Sequence, residues 1–187
     1  MSSEPADQDF EAQVSRMAAP GRDLPDGMLL ALDVGNKRIG VAASDPLRLL
    51  ARSLTTVQRQ NTGQAVEAIV ALVREHQPVA VLIGLPRNMD GSLGAQARSV
   101  LLFARRVEAQ IDIPVLLWDE RLSTVQASEI LHAQGVRARE QKGRLDAVAA
   151  AVILQEFIDS ERAERGDFGL LPPDPGPDLD RPGVGTQ

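Results

Sequence analysis

The feature that most restricts the fold of this chain is the order in which its hydrophobic pattern changes period. Residues 28–34 (MLLALDV) and 38–44 (RIGVAAS) are short apolar runs separated by Gly35-Asn36-Lys37, a turn suited to a hairpin. Asp45-Pro46 turns the chain again, and residues 50–57 alternate as a third strand. The period then lengthens. Val66, Ile69, Val70 and Val73 recur at helical spacing and predict a helix over 61–76. Residues 79–84 form an apolar strand, 92–110 a second helix and 114–118 a fifth strand. A short helix over 124–132 and a last helix over 144–160 complete the pattern. Three antiparallel strands followed by β-α-β-α alternation predict an α/β fold with a five-stranded mixed sheet and helices on both faces.

Length and composition narrow the setting. The 187 residues suffice for one core with tails. The expected division is an acidic, disordered N-terminal tail over 1–27, with the spacing for a short helix near Phe10 to Met17, a folded domain over 28–160 and a disordered Pro/Gly/Asp-rich tail over 161–187. No window approaches the roughly 20 apolar residues of a membrane span, and MSSEPADQDF lacks the order of a signal peptide. The expectation is a cytoplasmic protein with no membrane partner. The absence of cysteine excludes a disulfide framework, a thiolate metal site and a cysteine nucleophile. The net charge of -6 is carried by the ends: residues 1–28 and 159–187 each hold a net of -4, and the middle a net of +2. A polyanionic partner for the core is therefore compatible with the acidic total.

Three carboxylate positions stand out in that layout. Asp33 ends the first strand, Asp119-Glu120 end the fifth, and Asp146 lies in the first turn of the last helix. Sites in such sheets gather beyond the carboxyl ends of the strands. Ala149 and Ala150, one turn beyond Asp146, would let the helix approach the sheet closely. Asp146 read alone also fits a plain electrostatic role at a helix start or a pair with Lys142. Crowded acids repel unless neutralised. With no cysteine, and with His76 and His132 at helix ends, a hard oxygen-ligated cation, Mg2+ or Mn2+, fits the donor set. The strand and helix order is that of the ribonuclease H-like layout, which also forms half of an actin-type ATPase, so topology alone does not select a function.

Four segments in register carry a specific resemblance: LDVGNKRIGVAASDP, IGLPRNMDGSLGAQA, DERLSTVQAS and KGRLDAVAAAVIL. Together, over about residues 28–158, they resemble the YqgF family, also called RuvX, of ribonuclease H-like nucleases. The resemblance implies a metal-dependent nuclease associated with maturing the 5′ end of pre-16S rRNA, and in some members with cleaving Holliday junctions. By motif, Asp33, Glu120 and Asp146 match the family's acids. The fourth strand ends Gly84-Leu85-Pro86 without the acid that many ribonuclease H-like enzymes carry there. Adjacent strand residues face opposite ways, so Asp119 and Glu120 are not expected to touch one ion, and Glu120 is preferred.

Donors for a phosphate backbone surround the same edge. Gly91-Ser92 are expected to open a helix with free N–H groups, flanked by Arg87 and Asn88. Lys37, Arg38 and Arg121 lie beside the acids, and Arg137, Arg139, Lys142 and Arg144 form a basic loop. With no tyrosine, one tryptophan and four phenylalanines, base stacking is a poor recognition mode. Recognition through phosphates and shape suits structured RNA or branched DNA. Symmetric cleavage of a junction would favour a homodimer. Two rival readings are an actin-type ATPase, for which the chain lacks a second domain, and a non-catalytic module binding nucleic acid or an assembly factor. Divalent-metal binding with cleavage separates the nuclease from the module.

Overall fold

The computed structural model describes residues 5–19, 23–88, 90–119 and 142–166. Within them α1 (Pro5–Met17) precedes β1 (Leu29–Val34), β2 (Arg38–Ser44), β3 (Ala51–Gln58), α2 (Thr62–His76), β4 (Ala80–Leu85), α3 (Ala95–Glu108), β5 (Val115–Asp119) and α4 (Lys142–Glu164). The sheet order is β3-β2-β1-β4-β5. β2 runs antiparallel to both β1 and β3, while β1, β4 and β5 are parallel. This is the mixed sheet expected of the ribonuclease H-like layout. Parallel β1, β4 and β5 bring their carboxyl ends to one edge, which is what can assemble a site from distant segments.

Strand alternation divides the core in two. Leu30, Leu32 and Val34 of β1 point to the side covered by α1, α2 and α3, together with Val81, Ile83, Val115 and Leu117. Leu29, Ala31, Leu82, Leu116 and Trp118 point to the other side, beneath Ala150, Ile153, Leu154 and Phe157 of α4. Trp118 meets Phe157 edge to face, with ring centroids 5.4 Å apart. α2 starts at an Asn61 cap, whose side chain accepts the Gln64 N–H at 2.9 Å, and ends on Gln77 in the left-handed region. Among the described residues, no helix is long and apolar enough to cross a membrane.

Several expected boundaries change. The short helix expected near Phe10 to Met17 is longer and begins at Pro5. Phe10, Val14 and Met17 repeat at helical spacing and bury their side chains in the first core cluster. Arg98 stacks over the Phe10 ring at 4.7 Å, and the Ala19 N–H donates to the Leu117 carbonyl at 2.9 Å, extending the open edge of β5. α3 begins at Ala95 rather than 92, because Asn88, Asp90, Gly91 and Ser92 hydrogen-bond among themselves in a turn of their own. α4 begins two residues earlier than expected and continues four residues further, since Phe157, Ile158 and a partly buried Glu161 keep it on the sheet. The helix expected over 124–132 lies outside the described residues.

Candidate functional site

Asp33 lies on the α4 side of β1, in line with Leu29 and Ala31. The strand that carries it is buried because both faces of the sheet are covered, so its last polar residue inherits a desolvated position. Burial is the first cause raising the Asp33 pKa above the usual carboxylate range, and the negative charge of Asp146 is the second. Asp33 and Asp146, 113 positions apart in the chain, are thus brought within electrostatic reach of each other.

Gly40 makes that approach sterically feasible. It is the cross-strand partner of Asp33. A Cβ placed on it would stand 1.7 Å from the Asp146 carbonyl oxygen and 2.8 Å from the Ala147 nitrogen. The backbone of α4 therefore rests on a bare glycine. Ala150 is fully buried, but the residue that clears space at the level of Asp33 is in the sheet, not in the helix. The sequence carried a cue for this: an isolated glycine within the apolar run RIGVAAS marks a close backbone approach.

Asp146 is the fifth residue of α4, so it does not sit in the helix's first turn. Its partner is Arg38, whose Nε donates to Asp146 Oδ2 at 2.5 Å, with both side chains about 30% exposed. Lys37 is exposed in the β1–β2 turn. Arg59, which the sequence reading passed over, braces that turn: its backbone N–H donates to the Lys37 carbonyl and its guanidinium to the Gly35 carbonyl. The same guanidinium stacks over Phe103 at 5.4 Å, tying the turn to α3.

Asp119 lies elsewhere. Val115 and Leu117 place the odd positions of β5 on the side away from α4, and Asp119 follows them. Its carboxylate pairs with Arg87 Nε at 3.2 Å, and Arg87 also donates to the Gly91 carbonyl at 3.1 Å. Arg87 thus links the end of β5 to the loop after β4. In that loop Asn88 Nδ2 donates to Ser92 Oγ, while the Ser92 N–H and hydroxyl both donate to Asp90. The Gly91 N–H donates to the Asn88 carbonyl, and Gly91 has φ +86°. These donors close a turn, and Gly94 rather than Ser92 caps α3.

Glu120, Arg121, Arg137 and Arg139 lie outside the described residues. Lys142 and Arg144 belong to α4 by backbone, but their side chains are likewise outside the description. Among the described residues no three metal-ligating side chains gather. The geometry on hand is a pair of half-buried carboxylates with an arginine on one of them. Such a pair has oxygen donors, concentrated negative charge and no soft ligand, which suits a hard divalent cation rather than a zinc-type ion.

Comparison with known proteins places this arrangement in context. A family model described as "RuvX: Holliday junction resolvase" matches residues 27–160, leaving α1 outside the matched span. A protein of Roseiflexus sp. (strain RS-1), named "Putative pre-16S rRNA nuclease", is 43% identical over 136 residues, covering 73% of this chain and 96% of that protein. A protein of the same name from Gloeobacter violaceus is 47% identical over 136 residues, with coverages of 73% and 86%. Among solved structures, T. thermophilus RuvC in complex with a Holliday junction substrate aligns over 75% of this chain and 96% of its own, at 16% identity and a TM-score of 0.48.

Proposed function

Because this chain belongs to the RuvX family, we propose that it is a divalent-metal-dependent nuclease. It hydrolyses phosphodiester bonds in structured nucleic acid, with 5′-end maturation of pre-16S rRNA as its principal reaction. The relatives' names supply the substrate. The observation that carries the chemistry is the convergence of Asp33 and Asp146, where burial first and the Asp146 charge second disfavour the ionised form of Asp33, an environment that a bound cation would compensate.

Asp33 and Asp146 would hold Mg2+ or Mn2+. Glu120 is the third candidate, because the alternation that turns Asp119 away from α4 favours the next position for that side. When bound, the metal supplies Lewis acidity and a water nucleophile at neutral pH. The protein's own residues do the rest. Gly40 sets the spacing of the two acids. Arg38 orients Asp146 and brings a positive charge to the edge where a phosphate would arrive. Arg59 holds the β1–β2 turn, and Lys37 on that turn is free to meet backbone phosphates. Arg87, Asn88 and Ser92 spend their donors on closing the loop after β4 and act by fixing that loop.

The test compares a pre-16S leader fragment with a synthetic four-way junction, each in Mg2+ and in Mn2+. Cleavage of the leader that Asp33→Asn abolishes supports the reading. Preferential cutting of the junction would move the activity to resolution. Metal binding without cleavage of either substrate, or no metal binding, would replace the nuclease with a binding module.

A further inference from the structure

Four large hydrophobic side chains are exposed among the described residues, and three of them, Leu47, Leu49 and Leu50, occupy the single loop between β2 and β3. They are 78%, 47% and 70% exposed. The loop is rigidly built. The Asp45 carboxylate accepts the N–H groups of Leu47, Leu49 and Leu50 at 2.9, 2.9 and 2.7 Å. Arg48, with φ +53°, turns its side chain inward, where it donates to the Gly27 and Pro25 carbonyls and pairs with Glu161 at 3.2 Å. A left-handed non-glycine residue and a buried ion pair hold the loop in a form that presents leucine to solvent.

Two concavities adjoin these leucines. One, of about 230 Å³, lies between the loop and Ile158, Arg162 and Arg165 of α4. The other, of about 510 Å³, continues along the edge strand β3 past Leu50 and Arg52, facing Val148, Ala151 and Val152. Four arginines line the two, Arg48, Arg52, Arg162 and Arg165, against two acids, Asp26 and Glu161. Arg48 lies inward and is paired with Glu161, so the positive rim is made by Arg52, Arg162 and Arg165 around an apolar floor.

We propose that the occupant is the chain's own C-terminal segment, residues 167–180, with Phe168, Leu170 and Leu171 covering the leucine loop. α4 ends beside the first concavity, and Gly166 follows it with φ +70°, the glycine conformation that stops a helix and turns the chain away from the axis. The next residues read DFGLLPPDPGPDLD: three large apolar side chains, then prolines, with four aspartates and no base. Their charge complements the arginine rim. Their prolines favour an extended form that loses little entropy on docking. From Arg162 to Val148 the groove follows about 21 Å of helix, which an extended strand spans in about seven residues. The reach is sufficient without straining the chain.

The absence of cysteine makes the test clean. In the full chain, the pair Leu47→Cys and Leu171→Cys is allowed to oxidise at low protein concentration, with thermal unfolding of the reduced form as a folding check. The expected result is rapid formation of an intramolecular disulfide, slowed about tenfold when Phe168→Ser removes one apolar anchor. Leu50→Cys with Leu171→Cys gives a second reading of the same contact. A rate unchanged by Phe168→Ser would mean a tethered but undocked segment, and would overturn the proposal. A disulfide joining two chains would also overturn it, by assigning the leucine loop to a second copy. No disulfide in either pair would do the same.

Discussion

Gly40→Ala tests whether the site depends on a clearance in the sheet. The added methyl would lie 1.7 Å from the Asp146 carbonyl oxygen and 2.2 Å from its carbon, where ordinary contact begins near 3.4 Å. The obstacle is helix backbone, which cannot rotate aside as a side chain can. The start of α4 must therefore lift by more than about 1 Å, a displacement that can cost roughly 100-fold in rate. Overpacking of this kind costs about 1–3 kcal/mol, partly offset by about 0.5–1 kcal/mol for replacing glycine in a strand. The variant should remain folded, with a modest fall in melting temperature and a loss of cleavage far larger than that fall explains. Gly63→Ala is the control, because its Cβ would meet nothing closer than Asn61 Oδ1 at 3.5 Å. It should retain cleavage. Wild-type cleavage and melting in Gly40→Ala would refute the reasoning, since α4 would then not rest where Asp146 meets Asp33.

Two further outcomes follow from charge. Asp33 has a folded pKa above its unfolded value of 3.8, so its ionisation opposes folding: the penalty is absent below 3.8, grows as pH rises, and is complete above the folded pKa. Asp33→Asn should therefore raise metal-free stability at pH 7 and leave it unchanged at pH 3, as read by denaturant unfolding at the two pH values. Equal or lower stability at pH 7 would contradict the assigned cause. Arg48→Ala leaves the partly buried Glu161 without its closer partner and should destabilise the fold by about 3 kcal/mol in urea titration. A change below about 1 kcal/mol would show that water or Arg165 replaces it.

The legible part of this protein was local. A run such as LLALDV or VAVLIGL states its own burial, and Val66, Ile69, Val70 and Val73 state a helix, because neighbouring residues alone set those periods. Asp33 and Asp146 were visible as charges beside apolar stretches. Tertiary structure decided what depended on residues far apart. The apolar spacing of Phe10, Val14 and Met17 is readable, but a helix of 13 residues is marginal by itself and is stable here because β5 and α3 offer it a surface. Asp119 and Glu120 are equivalent as letters, and only the face assignment of β5 turned Asp119 toward Arg87. Arg38 found Asp146 across 108 positions, and Gly40 acquired its meaning from a helix that begins more than a hundred residues later. Periodicity is written in neighbours, whereas clearance, facing and charge pairing come into being when separate segments pack.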